Sequence, residues 1–518
     1  MMKFIDKYYK NIFVDNLHLL VLLLIVLLAF FLRYPGVERD SLWLDEAWRL
    51  QLFQVPLDFS NTKILISQLL GFDGLIRLIV YLFESNEWTL RAVSFYSGVL
   101  AVPSIYILGY HVSRKTFQPL IVAFLLAINP WHIAYSSELA PYALGSFLFT
   151  VFLYTLIRLH ENNNYLALFM SALVGGILSL MHLYFFGLVL ICILILLLLN
   201  MSRTSIINKL LILLVIVVMF NLFEVISYFA WVDTDRVSLR YNINWIVGFP
   251  LKVLNAVTSG PIPNRYVSTV SNFPFWYILF FYSVIVTTSL LFIRSFIHTL
   301  KVNNKPTLLF IYSTLLYILF IYFQGIIQNG AFLRYLIPIL PVLLLIVIES
   351  ILQFSATKPK YSTLTAFIFC FFTLNYSLAI YNESPGEKFK PKYRDFFASF
   401  VFECSENKVF FLNPNFTEIP ILNFYLKDTD CNVFEQPAFE AYFKEGELSL
   451  LNKDEAIYKK QDKWMAKEIV KLIDKKAIIY VVSLRNQIRT YNMVKSTNLL
   501  FDKIINKQIP DLLILKIN

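Results

Sequence analysis

Two adjacent carboxylates stand out against an apolar background. Asp45 and Glu46 lie in Asp40-Ser-Leu-Trp-Leu-Asp-Glu-Ala-Trp48, between Trp43 and Trp48. Paired indole rings mark the level where hydrocarbon meets water. A carboxylate at that level loses part of its hydration, which strengthens it as a base. For an isolated Asp-Glu pair, the plain alternative is a solvated loop. A second group sits in Asn129-Pro-Trp-His-Ile-Ala-Tyr-Ser-Ser-Glu-Leu-Ala-Pro-Tyr142, which carries His132 and Glu138 where a bare turn would suffice. Its alternative is a capping turn, with Ser136 or Ser137 as cap and Pro141 in a first helical turn. His182 and Tyr184 fall at a break in a long apolar stretch, and Arg91 and Arg334-Tyr335 each open an apolar run. Arg265 ends the stiff segment Pro261-Ile-Pro-Asn-Arg265. Arginines at helix ends also snorkel to headgroups without doing chemistry, and Arg265 also fits a solvated loop. Gathered at one membrane face, carboxylates and arginines suit group transfer from a lipid phosphate. A carboxylate deprotonates the acceptor, and arginines hold the leaving phosphate in charge-assisted hydrogen bonds. Glu138, His132 and His182 are also candidate ligands for a divalent cation. Packing or capping is the alternative there, because their spacing matches no compact metal site.

Composition says what kind of scaffold must position these groups. Hydrophobic residues make up 58% of the 518 and charged residues 15%, with mean hydropathy +0.62. Soluble domains hold about 45–50% apolar and about 25% charged residues. The departure excludes a soluble enzyme, a disordered chain and a coiled coil, and points to an integral membrane protein. Runs such as Leu19–Leu32 are continuous rather than alternating, which excludes an outer-membrane barrel. The net charge of +10 does not signal nucleic acid, because the basic residues fall between the apolar runs. Four cysteines form neither a zinc pattern nor a disulfide framework. Cys192 and Cys370 lie in apolar runs, whereas Cys404 and Cys431 share the tail, where a bridge between them stays open.

Eleven runs are long enough to span a bilayer: 17–33, 92–111, 117–134, 141–158, 165–181, 184–200, 207–230, 275–295, 307–327, 333–353 and 361–380. The stretch 165–200 is too long for one crossing and divides at Met181-His182-Leu183. The first run reads as a retained span, not a cleaved signal. With the N-terminus cytoplasmic, Lys3, Arg114, Arg158, Arg203, Lys209, Lys305 and their neighbours all fall inside, as the positive-inside rule asks. Residues 1–381 then form a membrane domain with outer loops 34–91 and 231–274, in the inner membrane of the cell. Within the first loop, Asn61–Phe83 suits helices lying on the membrane surface. Residues 382–518 form a small extracytoplasmic α/β domain, with strands at Lys408–Leu412, Ala477–Ser483 and Leu512–Ile517 and a helix at Lys453–Asp474. This topology puts Asp45, Glu46, Arg91, His132, Glu138, His182 and Arg334 on one side.

The Asp45-Glu46 pair, Glu87-Trp-Thr-Leu-Arg-Ala-Val-Ser94, the Asn129–Tyr142 turn and Arg334-Tyr-Leu-Ile-Pro-Ile-Leu-Pro341 occur in that order, followed by Lys392-Tyr-Arg-Asp-Phe396. Together they resemble the multi-pass GT-C glycosyltransferases, in the bacterial branch similar to dolichyl-phosphate-mannose protein mannosyltransferases and the lipid A aminoarabinose transferase. The resemblance runs over residues 17–400. It implies a polyprenyl-phosphate sugar donor, an outer-face site and inversion at the anomeric carbon. The acceptor would be a lipid, a polysaccharide or a protein. Asp45 would be the base; Glu46 and Glu138 would position a substrate or hold a cation. Arg91 and Arg334 would be structural or contact phosphate, with Tyr142 and Tyr335 beside them in the substrate site. The chain departs from many relatives at Ala140-Pro141-Tyr142, where they carry Arg-Pro-Tyr, and at Leu70–Leu75, where they carry a Pro-Pro element. Two other classes make different demands. A transporter or flippase needs broken or ionisable mid-membrane positions in paired halves; Glu224 is one, and no repeat is visible. A non-catalytic assembly protein would use the tail as a binding module and turn over no sugar lipid.

Overall fold

The structure is a computed structural model. It describes residues 2–39, 42, 46, 49, 71–83, 86–113, 117–231, 249, 290, 297, 305–328, 333–357, 409–412, 424–426, 431–433, 478–483, 494–495, 501–504 and 513–517. The chain divides into two compact units: Met1–Glu38 with Asp58–Glu383, and Arg39–Leu57 with Ser384–Asn518.

The first unit is helical and belongs to a multi-pass membrane protein. Its long helices are α1 (Met2–Arg39), α3 (Glu87–Ser113), α6 (Tyr142–Asn162), α9 (Thr204–Trp231) and α10 (Lys305–Gln328). Among the described residues these five hold segments long and apolar enough to cross a membrane. α4 (Phe117–Ile128) and α5 (Pro130–Ser136) make a sixth crossing if the bent pair is one span. α7 (Tyr165–Met181) and α8 (Leu183–Leu199) are apolar with 17 residues each. At 1.5 Å per residue, each is roughly 26 Å long, at the lower limit for a hydrocarbon core. α2 (Phe72–Leu82) is a short amphipathic helix, and α11 (Leu340–Thr357) is the last described helix of the unit. The expected spans near 275–295 and 361–380 lie outside the described residues, apart from Leu290.

A lipid-facing helix should turn its apolar side outward. On α1, Leu20, Leu23, Leu24, Leu27 and Phe31 are exposed, at the i, i+3, i+4, i+7 spacing of one helix face. Its other side packs Phe30 and Val37 against Phe95 and Trp88 of α3. Without water to drive burial, helices in a bilayer associate by close contact at small residues. Gly145 of α6 shows this: a Cβ there would lie 2.6 Å from the Phe185 ring and 3.1 Å from Pro338. α6, the most enclosed of the spanning helices, packs on α3, α7 and the 3₁₀ turn Leu333–Ile339.

Local chemistry sets the breaks. α4 and α5 meet at a 59° bend. Pro130 takes the first helical turn of α5, and Asn129 caps it through Oδ1, which accepts the His132 N–H at 3.0 Å. The run read as one span over 117–134 is therefore bent. Asn163 takes a left-handed conformation (φ 48°) that turns α6 into α7. The division expected at Met181-His182-Leu183 is present. His182 is extended (φ −169°), and its Nδ1 accepts the Tyr184 N–H at 3.3 Å. The run 333–353 was expected to be one helix, but it opens with the 3₁₀ turn. Pro338 and Pro341 have no N–H, so two α-helical bonds are missing there.

The second unit carries a five-stranded sheet in the order β2-β1-β3-β5-β4. β1 (Val409–Leu412) runs parallel to β2 (Asn432–Val433) and to β3 (Ile478–Ser483). β5 (Leu513–Ile517) runs antiparallel to β3 and to β4 (Phe501–Ile504). Ile479 and Val481 are fully buried, as are Leu515 and Ile517 of the neighbouring strand. Between them Lys516 lies opposite Tyr480, with its Nζ 5.4 Å from the ring. The short β2 and polar β4 were not expected from sequence; Lys453–Asp474 lies outside the described residues. Cys192 is free, and Cys431 is disulfide-bonded to a cysteine outside the described residues.

Candidate functional site

One end of the helical unit collects most of the residues singled out above. At its base is Arg33, in the last turns of α1 and fully buried. A buried guanidinium must place five N–H donors, and all five find partners. Nη1 donates to the carbonyls of Ala29 and Ala127, both at 2.9 Å. Nη2 donates to the Leu126 carbonyl at 3.2 Å and to His132 Nδ1 at 2.9 Å. Nε donates to Ser136 Oγ at 3.2 Å. The Leu126 carbonyl would normally meet the N–H four residues on, but that residue is Pro130. Apart from a long 3.4 Å bond from Asn129, Arg33 supplies what proline lacks.

This geometry also fixes His132. Arginine only donates, so Nδ1 accepts and the imidazole is neutral. Its proton is on Nε2 and faces Ser146 Oγ at 3.2 Å. His132 is fully buried with both ring nitrogens engaged. Gly98 of α3 lets the hub close: a Cβ there would lie 2.1 Å from Ser136 Oγ. Arg91, also fully buried, donates from Nη1 to the Val37 carbonyl at 3.2 Å and so ties α3 to the end of α1. Ser94 donates to the Ala140 carbonyl at 2.9 Å, which holds the turn containing Glu138.

Above the hub the contacts change from hydrogen bonds to rings. Tyr135 of α5 meets Tyr142 of α6 edge-on at 5.3 Å. Tyr142 lies 6.4 Å from His182 and 6.1 Å from Tyr335. Tyr184 stacks on Tyr335 at 4.2 Å and 21°, and on His182 at 5.4 Å. His182 and Tyr335 are 5.0 Å apart. The Arg334 guanidinium carbon is 5.7 Å from the Tyr142 ring centre. Tyr317 of α10 donates its phenol proton to the Tyr335 carbonyl at 2.9 Å, which fixes the 3₁₀ turn from below. His182, Tyr184 and Arg334 are only half-buried.

The structure thus brings Tyr142, His182, Arg334 and Tyr335 together, and joins His132 to them through α5 and α6. Glu46 belongs to the second unit and is buried. Asp45 and Arg265 lie outside the described residues. Among the described residues, no group of three His, Cys, Asp or Glu is placed to hold a metal ion. His132 has no ring nitrogen left for one. Sequence reasoning missed Arg33, which closes the apolar run 17–33.

Residues 70–229 match the dolichyl-phosphate-mannose-protein mannosyltransferase family. That stretch includes Arg91, His132, Glu138, Tyr142 and His182. No curated protein sequence matches the chain. Among solved structures, the chain is similar to ArnT from Cupriavidus metallidurans in the apo state. The TM-score is 0.54 at 10% identity, over 95% of this chain and 97% of that one. The chain has the GT-C glycosyltransferase fold. It is also similar to the archaeal oligosaccharyltransferase AglB from Archaeoglobus fulgidus, in complex with an inhibitory peptide and a dolichol-phosphate. There the TM-score is 0.50 at 11% identity, over 93% of this chain and 71% of that one. Within the GT-C fold, Arg33 binds both sides of the α4–α5 bend, and α5 reaches the ring cluster through Tyr135.

Proposed function

We propose that the chain is an inverting glycosyltransferase that moves a sugar from a polyprenyl phosphate to an acceptor at the outer face of the membrane. The N-terminus is then cytoplasmic and residues 382–518 are outside, as the basic loops favour. The observation that carries this reading is the meeting of Tyr142, His182, Arg334 and Tyr335 at one end of a GT-C bundle. A lipid-phosphate donor is supported by the dolichyl-phosphate-mannose family match and by the dolichol-phosphate in the AglB complex.

The donor already carries a good leaving group, so strong acid catalysis is unnecessary. Arg334 holds the phosphate in charge-assisted hydrogen bonds. The faces of Tyr142, His182 and Tyr335 bracket the sugar. Asp45 takes the acceptor's proton as the acceptor oxygen bonds to the anomeric carbon. The bond from that carbon to the phosphate oxygen breaks on the opposite side, and polyprenyl phosphate leaves with the electron pair. Direct displacement inverts the centre. Glu46 and Glu138 orient the acceptor, and Arg91 and Arg265 add positive charge near the donor. His132 acts through Arg33 and α5, as a positioning residue. The acceptor is a hydroxyl of a lipid, a polysaccharide or a protein.

The test is a membrane assay with radiolabelled polyprenyl-phosphate sugars, followed by locating the label. Wild-type protein transfers label to an acceptor. Asp45→Asn folds normally but loses about 10²–10⁴-fold in rate, as loss of a general base does. Glu46→Gln loses less. Full turnover by folded Asp45→Asn overturns the base assignment, and no transfer from any donor overturns the reaction class.

A further inference from the structure

The segment that carries Asp45 and Glu46 follows α1 in the chain. Residues 39–57 form one compact unit with residues 384–518. Leu42 is fully buried there, and Glu46 is 1% exposed. The backbone N–H of Leu42 donates to the Tyr425 phenol oxygen at 2.5 Å. Tyr425 sits on the helical turn 424–426, with its ring edge-on to Phe424 at 5.1 Å and Leu426 buried beside it. Five residues on, Cys431 is disulfide-bonded, and β2 begins at Asn432 in register with β1. The phenol oxygen therefore projects from a turn anchored by a covalent bond and a strand pair.

We infer that Tyr425 is a positioning residue for catalysis: it fixes the backbone of the segment whose carboxylates act on the acceptor. Leu42 is three residues before Asp45 and four before Glu46. A buried amide needs an acceptor. Here the acceptor comes from a rigid aromatic side chain far along the sequence, not from the segment itself. A misplacement of 1 Å at a reacting group can cost about 10²-fold in rate. This inference rests on the glycosyl transfer proposed above and on Asp45 as its base.

The test is Tyr425→Phe in the full-length protein, in membranes and then in lipid nanodiscs. The ring and its packing stay, and only the acceptor oxygen goes. Two measurements are made: sugar transfer, split into kcat and the KM for donor, and amide hydrogen exchange over residues 39–57. The expected result is a kcat lower by about 10–100-fold, an unchanged donor KM, and exchange at Leu42 at least tenfold faster. Unchanged exchange overturns the clamp, whatever the activity. Faster exchange with unchanged kcat overturns the catalytic role. A parallel loss of kcat and donor affinity also overturns it, because a donor-binding defect is not acceptor positioning. Wild-type protein that transfers no sugar overturns the proposed function, and with it the catalytic purpose of Tyr425, while exchange still decides the clamp.

Discussion

Around Arg33 every donor is matched: five N–H groups meet three carbonyls, one imidazole and one hydroxyl, all of them buried. Around Tyr335 rings lean on rings at 4.2–6.1 Å, and His182, Tyr184 and Arg334 keep part of their surface open. The two regions share α5 and α6, yet they are built for different ends. A fully matched hydrogen-bond net has one geometry and tolerates no guest. Aromatic faces accept a sugar ring without rearranging, and a half-buried guanidinium can still turn to a phosphate. On the function proposed above, the hub gives the bundle its shape, and the cluster above it is where the donor would bind.

Substitutions that separate shape from binding put this contrast at risk. Arg33→Leu should have the largest effect. It takes a donor from the Leu126 and Ala127 carbonyls, His132 Nδ1 and Ser136 Oγ, leaving Leu126 only the long Asn129 bond and Ser136 only its bonds to His132, at about 1–3 kcal/mol for each buried polar group left unsatisfied. The melting temperature in detergent should fall on the order of 10 °C, while protein that remains folded binds donor normally. A normal melting temperature would remove the hub from the account. Arg334→Ala should do the reverse. Losing a charge-assisted bond to phosphate costs about 1.5–3 kcal/mol, so donor affinity drops roughly 10–100-fold with melting unchanged. Equal donor affinity in the variant would rule out the phosphate contact. The smallest effect is expected from Tyr184→Leu, which keeps apolar bulk but loses the stack on Tyr335. An aromatic pair adds about 0.5–1.5 kcal/mol, which corresponds to a donor KM raised about 2–10-fold. If melting shifts more than KM, the stack belongs to the scaffold and not to the site.

The helices were legible because their signal is local. Continuous apolar runs and the polar His182 between two Leu-rich stretches announce themselves within a few residues, whereas the bend at Asn129-Pro130 lay hidden in a run read as one span. The candidate cluster was half legible. Tyr142, His182 and Tyr335 were singled out one by one, but their meeting depends on close approach at Gly145, which no periodicity encodes. Arg33 was passed over because it ends a leucine-rich run, where arginine usually reaches for headgroups. Its partners are 93–103 residues away. β2 escaped notice because two residues, Asn432 and Val433, carry no pattern. The 3₁₀ turn at Leu333–Ile339 was hidden by its own hydrophobicity, although Pro338 and Pro341 marked it.

The hydrogen bond between Leu42 and Tyr425 closes a loop of 383 residues. Chains emerge from the ribosome N-terminus first, at about 5–20 residues per second. The amide of Leu42 therefore waits roughly 20–80 s for its partner to be made. Through that interval the helices insert one after another while the Leu42 amide is without this acceptor. If the proposed role of Tyr425 holds, the contact that steadies the reacting segment is among the last to form, when most of the chain exists, and a truncated or stalled chain in the membrane is expected to be a silent one.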